Sequence, residues 1–172
     1  MDEITLTKHD LRWPVLFAEE AARIRAAVDG GLIVGIEHFG STAVPGLSAK
    51  PIIDLLVAVR SLAEARERVI PVLEAVGYSY WRDDPAPDRL FLVKGLPPNG
   101  PRTHHVHIVG QGTSADRLLF RDVLRADPEE AKRYAALKQY LAARFPGDRE
   151  AYTKGKTEYV YSVTQKARAS EE

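Results

Sequence analysis

Cysteine is absent from the 172 residues of this sequence. Its absence excludes disulfide bridges, thiolate zinc sites and a cysteine nucleophile, and it agrees with a cytoplasmic location. Net charge is lacking too, because 24 lysine and arginine residues balance 24 aspartate and glutamate residues. A chain without net charge has no overall field that would draw it to nucleic acid or to an anionic membrane, so we expect neither as a partner.

Long apolar runs are also missing. The stretch 1–10 carries charges and has no apolar centre, so it does not resemble a signal peptide, and no run approaches the length of a membrane span. A chain of 172 residues can form one substantial hydrophobic core but is short for two typical domains. We therefore expect a single domain over residues 1–172.

Apolar periodicity outlines the fold. It predicts a helix from Pro14 to the glycine pair at 30–31, and a second helix that Ser61 caps and Pro71 breaks. Strands are predicted over 32–39, 51–59, 78–81, 90–94 and 103–109, and helices from residue 114 onward. The fold class is therefore α+β, with a mixed sheet of about five strands, packing helices on one side and a helical C-terminal portion. The strand order stays open.

A loop rich in glycine, serine and proline joins the first two strands and is the first candidate site. Gly40 and Ser41 can bring backbone N–H groups and a hydroxyl close to an anion, and Lys50 adds a positive charge. Asp54 follows inside an aliphatic strand, where a carboxylate is costly unless it is paired or holds a metal. The alternative is that the glycines and Pro45 only shape a turn and that Asp54 caps it.

A group of histidines on the fifth predicted strand is the second candidate. Strand alternation places His105 and His107 on one face and His104 on the other. If this strand lies beside the second strand, both imidazoles could meet Asp54. Imidazole favours zinc, nickel, manganese or iron over magnesium, so the group would be a metal or phosphate site. The alternative is an exposed edge strand whose polar residues face water.

Tyrosine and lysine pairs in the C-terminal helices form the third candidate. Tyr134 lies four residues before Lys138, and Tyr152 lies four residues before Lys156, so each pair shares one helical face. Such faces can bind phosphates through a charge and a phenol hydroxyl, although solvated surface residues give the same pattern. The similar spacing of Arg121 and Arg125 is interpreted as a surface pair.

The stretch from His38 to Asp54 resembles the signature of the GrpB family, H-x-G-S-T-[AS]-V-P-G-L-x-x-K-P-I-I-D, nearly letter for letter. Weaker agreement extends from Trp13 to about Val163. The family is placed in the nucleotidyltransferase superfamily, in which a Gly-Ser turn holds a triphosphate and the next strand carries two carboxylates that bind two metal ions. Asp54 matches the first carboxylate, but Leu56 occupies the place of the second.

The resemblance implies a nucleotidyltransferase that moves a nucleoside monophosphate from a nucleoside triphosphate to an unidentified acceptor, with Asp54 and Ser41 as catalytic residues. Magnesium or manganese would be the metal, with zinc or nickel as alternatives through the imidazoles. The implied metal ligands are Asp54, His105, His107 and His38, the last preferred over Glu37 because it matches the signature. The implied phosphate contacts are Gly40, Ser41, Thr42, Lys50, Tyr134, Lys138, Tyr152 and Lys156.

Two other functions are compatible with the same residues. One is a non-catalytic module that binds a nucleotide or a coenzyme-A-like ligand, suggested because GrpB-like domains occur fused to dephospho-coenzyme A kinase in some bacteria. Such a module would tolerate Leu56 in place of the second carboxylate. The other is a hydrolase that uses a single metal held by aspartate and histidine.

Overall fold

The computed structural model describes residues 4–28 and 30–171. The helices are α1 (Trp13–Ala27), α2 (Leu62–Arg68), α3 (Ile70–Ala75), α4 (Ala115–Ala126), α5 (Pro128–Arg144) and α6 (Arg149–Glu171). The strands are β1 (Ile33–Phe39), β2 (Ile53–Val59), β3 (Tyr78–Tyr80), β4 (Arg89–Lys94) and β5 (His104–Gly110), and a 3-10 turn covers Ser41–Ala43. Within the described ranges, no helix combines the length and the apolar character needed to cross a bilayer.

Local sequence signals explain most element boundaries. Pro14 lies in the first turn of α1, where its missing N–H costs nothing. The Ser61 hydroxyl accepts a hydrogen bond of 3.2 Å from the Glu64 amide and caps α2. The predicted break at Pro71 is confirmed, because the segment divides into α2 and α3 with this proline in the first turn of α3.

The five strands form one mixed sheet in the order β1-β2-β5-β4-β3. The central strands β2 and β5 are parallel, and the other pairs are antiparallel. The parallel register puts Asp54 opposite His105 and Leu56 opposite His107. The fold class predicted from the sequence is confirmed, and the order adds that the carboxylate strand and the histidine strand are neighbours.

The two faces of the sheet have different roles. One face packs against α1, α2 and α3 and forms the main core, with Leu55, Val57, Val106 and Ile108 fully buried. Because strand side chains alternate, the residues next to them in sequence lie on the opposite face. The helices α4, α5 and α6 pack beside the 3-10 turn on that second side, where Val44 and Leu47 meet Leu124 and Tyr134. The packing helices α1 to α3 therefore lie on one side of the sheet, as predicted, and the helical C-terminal portion lies on the other, a placement that the sequence left open.

Candidate functional site

A cavity of about 420 Å³ lies between the second face of the sheet, the 3-10 turn and the C-terminal helices. Its size falls within the range of about 300–1,000 Å³ that is usual for small-molecule sites. The structure brings almost all of the predicted site residues to this one cavity. Those that line it are Gly40, Ser41, Thr42, Lys50, Asp54, His105, His107, Tyr134, Lys138, Tyr152 and Lys156.

The Gly-Ser turn and the Asp54 carboxylate are in direct contact. Gly40 has a φ of 72°, a backbone conformation that favours glycine. A Cβ atom at this position would lie 2.6 Å from Asp54 Oδ2, well inside van der Waals contact. Glycine is therefore required both by the turn and by the close approach of the carboxylate.

His38 is the one predicted site residue that the structure places elsewhere. Its ring stacks on Phe17 of α1 at a centroid distance of 4.8 Å, and its Nε2 atom lies 2.9 Å from Thr42 Oγ1. Burial lowers the pKa of His38 to about 4, so the ring is neutral. Strand parity explains the position, because His38 shares the core face with Ile36 while Glu37 and Phe39 lie on the other. It does not join the metal-ligand group predicted from the signature.

The Asp54 carboxylate lies against both imidazoles and forms a hydrogen bond with His107. His107 Nε2 lies 3.1 Å and His105 Nδ1 lies 3.5 Å from Asp54 Oδ1. Burial by itself would raise the pKa of Asp54, but the two imidazoles hold it well below its usual range. The acid is therefore an ionised acceptor at neutral pH, and a quarter of its side chain remains exposed.

A chain of hydrogen bonds continues behind His107. Arg89 Nη1 lies 3.1 Å from His107 Nδ1, and the guanidinium binds the Asp84 carboxylate at 2.6 and 3.0 Å. Arginine can only donate, so His107 Nδ1 accepts. The pKa of His107 is lowered by burial, and the neutral ring then carries its proton on Nε2, from which it donates to Asp54.

The geometry does not fit the divalent metal that the superfamily implies. Donor atoms of Asp54, His105 and His107 lie within 4.8 Å of one another. However, the Nε2 atom of His107 carries a proton and has no lone pair to offer. The second carboxylate position is Leu56, which is buried on the same face with 1% exposure. Asp54 is the sole carboxylate among the described residues that line the cavity.

Positive charge dominates the cavity. Of the described residues that line it, eight are lysine or arginine: Lys50, Arg89, Arg102, Arg117, Arg121, Lys138, Arg149 and Lys156. Several of the arginines bind carboxylates outside the cavity, as Arg89 does. In the part of the chain that the structure describes, no carboxylate lies within ion-pair distance of Lys50, Lys138 or Lys156. The described lining of the cavity therefore carries far more basic side chains than acidic ones.

The three lysines lie against two buried tyrosines. Lys138 Nζ is 5.1 Å from the centre of the Tyr134 ring, and Lys156 and Lys50 are 4.5 and 5.1 Å from the centre of the Tyr152 ring. Burial and the neighbouring ammonium groups lower the pKa of Lys138 to about 7 and that of Lys156 to about 8. Burial also lowers the pKa of Lys50. We call Lys50, Lys138 and Lys156 the lysine triad.

Sequence reasoning missed several arginines of the site. Arg121 is not a surface residue, because it is half-buried and binds Glu37 and the His38 carbonyl at 2.8 and 3.0 Å. Arg125 is exposed, as the surface interpretation expects, and binds the Ala43 carbonyl at 2.8 Å outside the cavity lining. They hold α4 against β1 and the 3-10 turn. Arg89 was also missed. It lies on the same face of β4 as Phe91, but only the strand order, with β4 beside β5, shows that this face adjoins the histidines.

Comparison with known proteins finds relatives along nearly the whole chain. The family profile described as GrpB protein matches residues 3–166. A UPF0157 protein of Pseudomonas aeruginosa is 48% identical over 171 residues, which cover 98% of this chain and 69% of that protein. A dephospho-CoA kinase of Mycolicibacterium paratuberculosis is 32% identical over 173 residues, which cover 87% of this chain and 42% of that protein. The chain thus matches less than half of the kinase-named relative.

Solved structures extend the comparison to the fold. The crystal structure of conserved protein GrpB from Enterococcus faecalis has a TM-score of 0.82 and 33% identity, covering 95% of this chain and 96% of that one. The structure of Cid1 in complex with its short product ApU has a TM-score of 0.51 and 13% identity, over 87% of this chain and 48% of that one. This second likeness concerns the fold alone, which is nucleotidyltransferase-like. The profile match and the level of identity show that the chain belongs to the GrpB family.

Proposed function

We propose that the cavity binds the phosphate groups of a nucleotide through its own basic side chains, without a metal ion between protein and phosphate. The observation that carries this proposal is the lysine triad. Its three ammonium groups are gathered in one cavity, and the pKa of each is lowered by burial. A bound polyphosphate would supply the missing negative charge and return the amines to their charged form.

The free-energy cost of burying three ammonium groups together is the physical argument for an anion. Lys138 is 2% exposed, and its pKa falls from 10.5 to about 7. Each unit of pKa corresponds to about 1.4 kcal/mol, so holding this ammonium charged in its buried position costs several kcal/mol. Fold stability alone would favour an apolar side chain there, which supports a role in binding.

The tyrosines and the cavity walls support a nucleotide over a free phosphate ion. Burial raises the pKa of Tyr134 to about 12, so the phenol stays neutral and can donate a hydrogen bond to a phosphate oxygen. Phe39, Phe91 and Phe120 add apolar aromatic surface on which a base can pack. Two related names also support the proposal, since Cid1 is described with ApU and the mycobacterial relative as a dephospho-CoA kinase.

A ligand screen tests the proposal. Thermal shifts would be measured in EDTA with ATP, ADP, AMP, dephospho-coenzyme A and sodium sulfate at equal ionic strength. We expect the nucleotides to raise the melting temperature of the wild type and to have little effect on Lys156→Met. Lys132→Met is the matched control, because Lys132 lies on α5 with 73% of its side chain exposed. Equal shifts with sulfate and ATP, or unchanged shifts in Lys156→Met, would contradict the proposal.

Nucleotidyl transfer is the second candidate, favoured by the position of Asp54. This acid lies on the strand after the Gly-Ser turn and faces the same cavity as Ser41. In such a reaction the acceptor oxygen attacks the α-phosphorus, the bond to the bridging oxygen breaks, and pyrophosphate leaves with that electron pair. The acceptor proton needs a base. The low pKa of Asp54 makes it a weak one, and the transfer is therefore ranked below simple binding.

Label transfer from α-labelled ATP into a cell extract tests the second candidate. Transfer that is lost in Asp54→Asn, while ATP binding persists, would support it. If neither protein transfers label and both still bind ATP, the non-catalytic binding module is the function that remains supported. The single-metal hydrolase considered from the sequence loses support, because the Nε2–H group of His107 donates a hydrogen bond to the Asp54 carboxylate and Nε2 then has no lone pair for a metal.

A further inference from the structure

We infer that Arg89 is a positioning residue that fixes the proton of His107 on Nε2 and thereby keeps the Asp54 site free of divalent metal ions. The place of this proton and the metal affinity of Asp54 do not depend on which ligand the lysine triad binds. Its basis is the row of side chains from Asp84 through Arg89 and His107 to Asp54.

The direction of each hydrogen bond in this row is fixed by chemistry. A guanidinium has donors only, so the 3.1 Å contact between Arg89 Nη1 and His107 Nδ1 requires a lone pair on Nδ1. A neutral imidazole has one N–H, which must then be on Nε2. That atom lies 3.1 Å from Asp54 Oδ1, the distance of a donated hydrogen bond.

A metal ion bound to His107 would require the opposite tautomer of its ring. Coordination by His107 Nε2 needs a lone pair there, so the proton would move to Nδ1. On Nδ1 it would face an N–H of Arg89, and two donors would meet at hydrogen-bond distance. Metal-binding histidines normally present their other nitrogen to a carboxylate or a carbonyl, which accepts. Arg89 occupies that place with a donor.

Besides its hydrogen bond to His107, Arg89 is held in position by two neighbours. Asp84, whose side chain is 8% exposed, binds the guanidinium at 2.6 and 3.0 Å. The guanidinium also lies 4.9 Å from the centre of the Phe91 ring. His107 is confined in turn between Phe39 at 4.8 Å and Phe91 at 5.0 Å. Neither partner can turn away without breaking these contacts.

The donors that remain are too few for a metal site. Asp54 supplies one carboxylate, and His105 supplies the other imidazole. Leu56 is apolar where the superfamily has its second acid, and the surrounding lysines and arginines oppose a cation. The aspartate is left as an acceptor for hydrogen bonds rather than as a metal ligand.

Metal titration of two arginine variants tests the inference. Zinc, nickel and manganese would be titrated into the wild type, Arg89→Met and the control Arg117→Met. Arg117 lines the same cavity and is similarly exposed, at 26% against 25% for Arg89, but it pairs with Asp88. We expect zinc affinity to rise by about 10- to 100-fold in Arg89→Met, the range typical of changes in the second coordination shell, and to stay unchanged in Arg117→Met.

Two further measurements keep the test decisive. The gain must vanish when Arg89→Met is combined with Asp54→Asn, since zinc bound elsewhere would not respond. Nitrogen-15 NMR of the wild type reads the tautomer directly and needs no variant to fold, and we expect the proton of His107 on Nε2. A proton on Nδ1, tight zinc binding by the wild type that His107→Ala removes, or an equal gain in Arg117→Met would overturn the inference.

Discussion

Replacement of Lys138 by methionine should stabilise the protein while it weakens ligand binding. Methionine keeps the length and flexibility of the lysine stem and removes only the ammonium group. Lys138 is 2% exposed, and its amine donates to the Ser48 carbonyl and lies over the Tyr134 ring. A replacement of similar volume normally changes the stability of a buried site little, so the loss of the charge decides the result.

The magnitude follows from the pKa of Lys138, which falls from 10.5 in the free side chain to about 7 in the folded protein. The unfolded chain then binds more protons between these two values, so stability rises with pH across this window. At pH 7 the charge opposes folding by about 4 kcal/mol. Loss of the hydrogen bond to the Ser48 carbonyl destabilises the variant by about 1 kcal/mol. The net gain in the free energy of unfolding is therefore about 2–3 kcal/mol.

Urea unfolding and thermal unfolding at two pH values measure this effect. At pH 7 the gain should move the melting temperature of a chain of this size up by about 5–10 °C. At pH 9.5 the wild-type amine is largely neutral in the folded state, and the destabilisation that its charge causes falls to about 1 kcal/mol. The extra stability of Lys138→Met should therefore nearly disappear. A variant that is less stable at pH 7, or a gain that does not depend on pH, would refute the reasoning.

Three other outcomes follow from the same contacts. The affinity for ATP should fall by at least about tenfold from pH 7 to pH 9.5 in calorimetric titration, because Lys138 and Lys156 lose protons that the bound anion needs. Gly40→Ala should lower the free energy of unfolding by about 2–4 kcal/mol, since its methyl group would meet Asp54. Gly46→Ala is its control, with a φ of 78° but open space around the new carbon, and an equal loss would contradict the clash. Arg121→Met should speed hydrogen exchange in α4 without changing exchange in β5, because this side chain holds α4 to β1.

Strand alternation was sufficient to predict much of the candidate site. It placed His105 and His107 on one face, and the resemblance to the GrpB signature brought Gly40 and Asp54 together. Helical spacing likewise put Tyr134 with Lys138 and Tyr152 with Lys156. These are short-range relations, in which the geometry of one element or one turn fixes the positions of its own side chains.

The relations that depend on packing between distant segments were not predictable. The place of β4 beside β5 brings Arg89 to His107, and a single sequence contains no signal for strand order. His38 shows the same limit, because parity separates it from Glu37 without showing which face carries the core. Arg121 looked like a surface residue because its carbonyl partner lies 83 positions away in the chain.

The most direct test of a cavity that binds phosphate through side chains alone is calorimetric titration of ATP in EDTA. The titrated proteins are the wild type, Lys156→Met and the control Lys132→Met. The lysine triad predicts binding by the wild type and by Lys132→Met without any divalent metal, and a loss of at least about tenfold in Lys156→Met. Binding that appears only when magnesium or manganese is added, or that is equal in all three proteins, would contradict the account.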